Sequence, residues 1–255
     1  MSKHVLSAIF LMYSALSFAD HGDLLVGWEL WYPYQYHNKQ GQLVGLDIDS
    51  FNAIAKHAGV KTHFIETPWK RHLHLVKHGR IDIAFGASYS EEREEYAYFT
   101  KPYRYEKVNL FVKKGSKNKI KLATLSDLKT SPYMIGVEGG YFYGNNYQEL
   151  IKDLDFQDNI NEVVDIEQNV TMLLDGHIDG FLVDPLTMRA FTHKYKMEDE
   201  FEVHDLEIYQ DTIHIMLSKK SMSKDMLLSF NKAIDELTDS GELEKIINNW
   251  KENIK

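Results

Sequence analysis

Two copies of one four-residue phrase mark out the residues best placed for chemistry. Gly79-Arg80-Ile81-Asp82 and Gly176-His177-Ile178-Asp179 each follow an apolar helix-like run and open an apolar strand-like one. Glycine stops a helix by taking positive φ, and an unbroken apolar run suits a strand buried in a parallel sheet. What lies beyond each strand differs: the first leads to Arg93 and the second stops at Asp184. The repetition implies two similar lobes. A cation from one facing an anion from the other across a cleft would suit a zwitterion. Arg93 also stands in the charged run Glu91 to Glu95, where a solvated helix face with weak ion pairs is the plain alternative. Asp184 precedes Pro185, so its carboxylate is also a helix N-cap, a role compatible with binding.

Other candidate chemistry is thin. Of His72, His74 and His78, only the last two are four apart on a helix, and no carboxylate or cysteine of that helix joins them, so no metal site is expected. Asn169-Val170-Thr171 matches a glycosylation sequon inside an apolar helix and reads as chance. The chain has no phosphate-cradling glycine loop and no nucleophile elbow, and no cofactor is expected.

The elements that must position these residues repeat. Leu24 to Gly27 reads as a strand, followed by the aromatic loop Trp28 to Tyr36 and a turn at Asn38-Lys39-Gln40-Gly41. Ile48, Phe51, Ile54, Ala55 and Ala58 fall at helical spacing before Gly59. A strand over 61–65, a helix over 69–78 and the strand after the first Gly-Arg-Ile-Asp complete a mainly parallel sheet with covering helices. The second half repeats the order: strand 134–137, an aromatic loop at Tyr141-Phe142-Tyr143, a helix, strand 162–164, a helix holding Val170 to Leu174, and strand 178–183. Strands at 108–112 and 213–217 read as two crossings between lobes, and amphipathic helices over 226–237 and 242–250 return to the first. In open α/β sheets ligands bind beyond the carboxyl ends of the strands, so two lobes joined in this way face each other with their binding edges.

The first residues carry Lys3 and His4, an apolar run from Val5 to Leu16, and Ser17-Phe18-Ala19 before Asp20. That is the layout of a secretory signal peptide, with cleavage expected after Ala19. The run is too short to span a bilayer. With 255 residues and no cysteine, stability must come from a packed core. The formal charge of −9 argues against nucleic acid or an anionic membrane as partner.

Gly45-Leu46-Asp47-Ile48-Asp49, Gly79-Arg80-Ile81-Asp82, Ser88-Tyr89-Ser90-Glu91-Glu92-Arg93 and Tyr98-Phe99-Thr100-Lys101-Pro102-Tyr103 occur in that order. Together they resemble the family 3 extracellular solute-binding proteins, the periplasmic receptors of polar amino-acid ABC importers. The resemblance covers essentially all of the chain beyond the leader. It implies an α/β fold of two lobes (the type II periplasmic-binding-protein fold): signal peptide 1–19, first lobe 20–108, second lobe 109–212, and a return to the first over 213–255. It also implies an inner-membrane ABC permease as partner, a small-molecule ligand, no catalysis and a monomer.

Roles follow from the same resemblance. Arg93 matches the arginine that grips a ligand α-carboxylate, a task its planar fork suits, and Ser88 matches a hydroxyl beside it. Asp184 matches the acceptor for the α-ammonium, and Gly86 falls where a backbone carbonyl would meet that group. Trp31 and Trp69 match the aromatic pair around the ligand side chain, and Glu29 matches a position facing its distal end. Where the family usually offers a threonine in the second lobe, this chain has Tyr141-Phe142-Tyr143, with Phe142 expected at the ligand. That leaves room for an aromatic or modified ligand. The alternatives are an exported cyclohexadienyl-dehydratase-like enzyme using Glu29 and Glu138, or a receptor that presents its ligand to a sensor.

Overall fold

The computed structural model describes residues 23–253, so the expected leader and its cleavage point lie outside the described residues. In the first lobe β1 (Leu24–Trp28), β4 (Thr62–Glu66) and β5 (Ile83–Ser88) are parallel, with β1 between the other two. A hairpin of β2 (Tyr36–His37) and β3 (Leu43–Val44) closes the loop after β1, around the turn expected at Asn38 to Gly41. Helices α1 (Leu46–His57) and α2 (Trp69–Lys77) cover the two faces. Ile83 and Phe85 pack toward α1 with Phe51 and Ala84 toward α2 with Val76, a period of two that breaks at Gly86 (φ +73°), so that Ala87 joins the side of Ala84. A short helix α3 (Glu91–Glu94) and strand β6 (Ala97–Phe99) follow.

The second lobe repeats the plan. β8 (Ile135–Glu138) lies between β9 (Ile160–Val163) and β10 (Gly180–Val183), all parallel. Helices α4 (Asn145–Leu150), α5 (Leu154–Gln157), α6 (Ile166–Leu174) and α7 (Pro185–Tyr195) surround it. Leu182 points into a core with Leu110, Ile135 and Phe156, and its neighbours Phe181 and Val183 into another with Val170 and Phe191.

The repetition runs deeper than the shared glycine phrase. Val26-Gly27-Trp28-Glu29 and Ile135-Gly136-Val137-Glu138 occupy matching strand ends. A Cβ on Gly27 would lie 2.1 Å from His72 Nε2, and one on Gly136 would lie 2.1 Å from Asn169 Oδ1. His72 and Asn169 are each the fourth residue of their helix, so a polar helix residue packs onto a bare strand glycine in both lobes.

Two long strands join the lobes. β7 (Arg104–Lys113) and β11 (Phe201–Ser218) pair antiparallel through the middle of the sheet, whose order is β4-β1-β5-β11-β7-β10-β8-β9 with β6 also on β11. Val108, Leu110 and Leu206 pack into the second lobe, and Ile213, Ile215 and Leu217 into the first. Both strands are longer than their apolar stretches. The extra length of β11 carries Glu202, Asp205, Glu207 and Asp211, charges that hide a strand from a hydrophobic pattern while the ladder to β7 supplies its backbone bonds. Helices α8 (Lys224–Asp239) and α9 (Glu242–Asn253) return to pack on α1. No helix among the described residues is long and apolar enough to cross a membrane.

Candidate functional site

The carboxyl ends of the parallel strands of both lobes meet at a cavity partly open to solvent. Glu29 and Ser88 come from strand ends of the first lobe, and Glu138 and Asp184 from those of the second. Glu29, Trp31, Trp69, Gly86, Ser88, Arg93, Phe142 and Asp184 all border this one space.

On the first lobe, Glu29 Oε2 accepts from Trp69 N–H at 2.7 Å, which places its carboxylate on the first turn of α2. The residue before that helix is Pro68, which offers no side-chain cap, so Glu29 fills the role from a different strand. Burial raises the pKa of Glu29, against the bonds from Tyr141 and Trp69 that favour its anion. Gly86 holds φ +73°, a conformation that suits glycine, where the chain turns along the cavity wall.

Arg93 is buried, at 7% exposure, and is not part of a solvated face. Ser90 caps the short helix that carries it, with its hydroxyl accepting from Arg93 N–H at 3.3 Å. Nη1 donates to the Ser88 carbonyl at 2.9 Å and Nη2 to the Gly140 carbonyl of the other lobe at 3.4 Å. The guanidinium lies between the rings of Trp69 and Phe142, 5.6 and 5.7 Å from their centres. Burial lowers its pKa, and it remains a cation.

On the second lobe, Asp184 caps α7: Oδ1 accepts from Thr187 N–H at 2.7 Å and from Tyr34 O–H of the first lobe at 2.9 Å. Its pKa is raised, by burial above all. Glu138 is pushed up to about 8 by burial and by Glu29 across the cleft. Glu106, on the crossing strand β7, is pushed up to about 7, again by burial first. No hydrogen bond to the carboxylate of Glu106 or Glu138 forms among the described residues.

A second arginine lies beside the cavity but is already engaged. Arg104 donates from Nε and Nη2 to the two oxygens of Asp47 at 2.7 and 2.9 Å, and both side chains are buried. Its Nη1 is 3.8 Å from Glu106 and its face rests on the Tyr34 ring at 4.3 Å. Arg93 is thus the cation whose charge no carboxylate in the cavity wall pairs at salt-bridge distance among the described residues.

The lobes are closed on each other. Besides Tyr34–Asp184 and Arg93–Gly140, Trp31 Nε1 donates to Thr187 Oγ1 at 3.2 Å, Tyr141 O–H to Glu29 Oε1 at 2.9 Å, and Lys70 Nζ to Glu162 Oε1 at 2.9 Å. Tyr141-Phe142-Tyr143 divides its work. Tyr141 reaches Glu29, Phe142 covers Arg93, and Tyr143 turns inward, donating to the Glu138 carbonyl at 3.4 Å and packing on Tyr147.

The matching family model is that of the bacterial extracellular solute-binding proteins, family 3, and it spans residues 24–253. The chain belongs to that family. Relatives of this solute-binding protein include the L-cystine-binding protein TcyJ of Escherichia coli, 29% identical over 91% of this chain and 83% of that one. A probable histidine-binding protein of Campylobacter jejuni is 30% identical over 86% of this chain and 80% of that one. Among solved structures, the amino acid ABC transporter substrate-binding protein AbpA of Streptococcus pneumoniae, bound to L-arginine, superposes with a TM-score of 0.74 at 26% identity, covering 92% and 97% of the two chains. Its fold is that of the type II periplasmic binding proteins, as expected from the resemblance.

Sequence reasoning left out several lining residues of this solute-binding protein: Gln35, Glu106, Tyr143 and the Leu182-Val183 edge. Glu106 gave no signal because it stands between Tyr105 and Lys107 in a polar segment ahead of the apolar run of β7. The helix N-cap read at Asp184 before Pro185 is present and opens α7, whose extent the sequence reading did not give. Of the three histidines only His74 and His78 come together, with ring centres 4.2 Å apart. His72 is buried against the Ile83 carbonyl with its pKa lowered to about 4 by burial, whereas His78 bonds to the carbonyl of His74. No group of three or more potential ligands among the described residues is placed to hold a metal.

Proposed function

We propose that this solute-binding protein closes on a small zwitterion, an α-amino acid, and delivers it to the permease of an ABC importer from the periplasm, as a monomer exported through a cleavable leader ending at Ala19. The observation that carries the reading is that Arg93 of one lobe and Asp184 of the other border the same cavity. In this reading Arg93 meets the α-carboxylate, which would replace the long contact to the Gly140 carbonyl with a charge-assisted pair. Asp184 accepts from the α-ammonium through its second oxygen, with the Ser88 hydroxyl and the Gly86 carbonyl alongside. Trp31, Trp69 and Phe142 flank the rest of the ligand, and Glu29 faces its far end. Ligand contacts drawn from both lobes favour the closed form through their differential affinity, so a permease can read occupancy as shape.

A ligand-stripped thermal-shift screen of the amino acids tests it. At about a thousand times its dissociation constant, a true ligand adds ~4 kcal/mol, a shift on the order of ten degrees. Silence from every amino acid would overturn the reading. A carboxylic acid whose pKa is pushed up to about 8, as that of Glu138 is, also suits a general acid. Turnover of a prephenate-like acid would establish the dehydratase alternative, and ligand recovered unchanged counts against it.

A further inference from the structure

His74 and His78 take no part in the cleft. They stand four apart, one in the last turn of α2 and the other closing it, so both project from the same side of the helix. Both are exposed, and their ring centres lie 4.2 Å apart with the planes at 38°. Neither ring pairs with a carboxylate; among the described residues the histidine that does is His193, with Glu198. Spacing alone promised two ligands where a structural zinc site takes four. An exposed chelate needs only two, since solvent can fill the other positions.

Hydrogen bonding decides which atoms are free. His78 Nδ1 lies 2.8 Å from the His74 carbonyl oxygen, which can only accept, so Nδ1 carries the proton of the neutral ring. The lone pair is then on Nε2, across the ring from that bond. Metal-bound imidazoles are held in this way, with the other nitrogen donating to a carbonyl or carboxylate. His74 makes no ring hydrogen bond among the described residues, so either of its nitrogens can turn to a shared ion. The last carbonyls of a helix carry partial negative charge, which favours a cation at this end of α2. Arg71, Lys77 and Arg80 oppose it, though Lys77 is drawn aside, its Nζ 5.4 Å from the centre of the Tyr96 ring.

We propose that His74 and His78 form a two-point surface chelate for a divalent transition metal ion that prefers imidazole (zinc, nickel or copper), with water completing its coordination. Copper should bind most tightly, whereas magnesium and calcium, which take oxygen donors, should not bind. At ~1.5 Å per residue the pair lies about 8–14 Å along α2 from Trp69, whose N–H meets Glu29 at the cavity wall. The site is therefore separate from the cleft, and it stands or falls independently of what the cleft binds. An ion there would clip the final turn of the helix that presents Trp69.

His57 supplies an internal control. It is exposed on α1, and its Nδ1 meets the Ala53 carbonyl at 3.1 Å as His78 meets that of His74, but Ala53 and Lys61 stand where a second imidazole would be. The test is a zinc titration of the purified protein, isotopically labelled at histidine and followed ring by ring by nuclear magnetic resonance. The His74 and His78 rings should shift together with one dissociation constant, at least tenfold tighter than that of His57, and magnesium should move neither. In His74→Ala the His78 ring should fall to the affinity of His57, because its neighbour no longer acts at high effective concentration. Two rings that shift at different zinc concentrations, or a wild-type affinity no better than that of His57, overturn the proposal. So does a His78 ring that binds as tightly without His74. Should His74→Ala not fold, the wild-type comparison with His57 decides.

Discussion

Glu29 of the first lobe accepts a hydrogen bond from Tyr141 of the second at 2.9 Å, and the same carboxylate caps the helix that presents Trp69. One side chain therefore ties the closed state to the placement of an aromatic wall. Tyr141→Phe removes the donor and keeps the ring. A hydrogen bond to a charged group contributes about 1.5–3 kcal/mol, so ligand affinity should fall roughly tenfold or more. Small-angle scattering on the ligand-free variant should give a larger radius of gyration; an unchanged radius and unchanged affinity would show that the contact does not hold the lobes.

Arg93→Ala strips a buried guanidinium from between Trp69 and Phe142. Losing a charge-assisted contact in a desolvated cleft should cost at least about 2–3 kcal/mol of binding, a factor of thirty to a hundred or more. Arg93→Lys should recover little of it, because an ammonium lacks the fork that spans the Ser88 carbonyl and a ligand carboxylate together. Titration calorimetry on both variants decides the matter, and wild-type affinity in Arg93→Ala would remove Arg93 from the site.

The Asp47–Arg104 pair calls for a different outcome from single and double changes. Arg104→Ala leaves Asp47 buried without its partner and should cost about 3–5 kcal/mol, which for a chain of this size is on the order of ten degrees in melting temperature. Asp47→Leu with Arg104→Met replaces both by apolar groups and should lie much closer to the wild-type melting point. Equal losses in the single and double variants would contradict the account.

Acidity should act on the empty protein through Glu106 and Glu138, whose pKa values of about 7 and 8 lie above the 4.5 of a free glutamate. Between those limits the folded state binds more protons than the unfolded one at these two sites, so their contribution to stability is full below about pH 4.5 and is lost as pH rises through 7 and 8. Melting scans of ligand-free protein should show a decline from pH 6 to about pH 8.5 that Glu106→Gln and Glu138→Gln each reduce. A flat profile in the wild type would mean that Arg93, Arg104 and solvent keep both groups ionised.

Much of the architecture was legible because it depends on period and punctuation. The duplicated Gly-x-Ile-Asp phrase marks two helix-to-strand junctions, and the apolar runs after it become β5 and β10. Asp184 could be picked out because it follows such a strand directly, and Arg93 because it stands on the short helix just beyond the other. Glu106 could not, since its burial comes from β11 and the second lobe folding over a strand whose own sequence alternates charge. Nor could the matching roles of His72 and Asn169, two unlike residues that share a packing task only because a glycine faces each. The Tyr141 to Tyr143 segment read as a substitution for a hydroxyl, whereas its three rings face three different neighbours.

The walls between the lobes are made of indole, phenyl and phenol rings packed as in a protein interior, around carboxylates and a guanidinium that an interior would pair, as though one side chain had been left out. The cargo can be regarded as that side chain, detachable and delivered from solution. Packing it is then the final step of the molecule's own folding, and release amounts to a local, reversible unfolding in which the two halves of the core part along the surface where the missing piece had been.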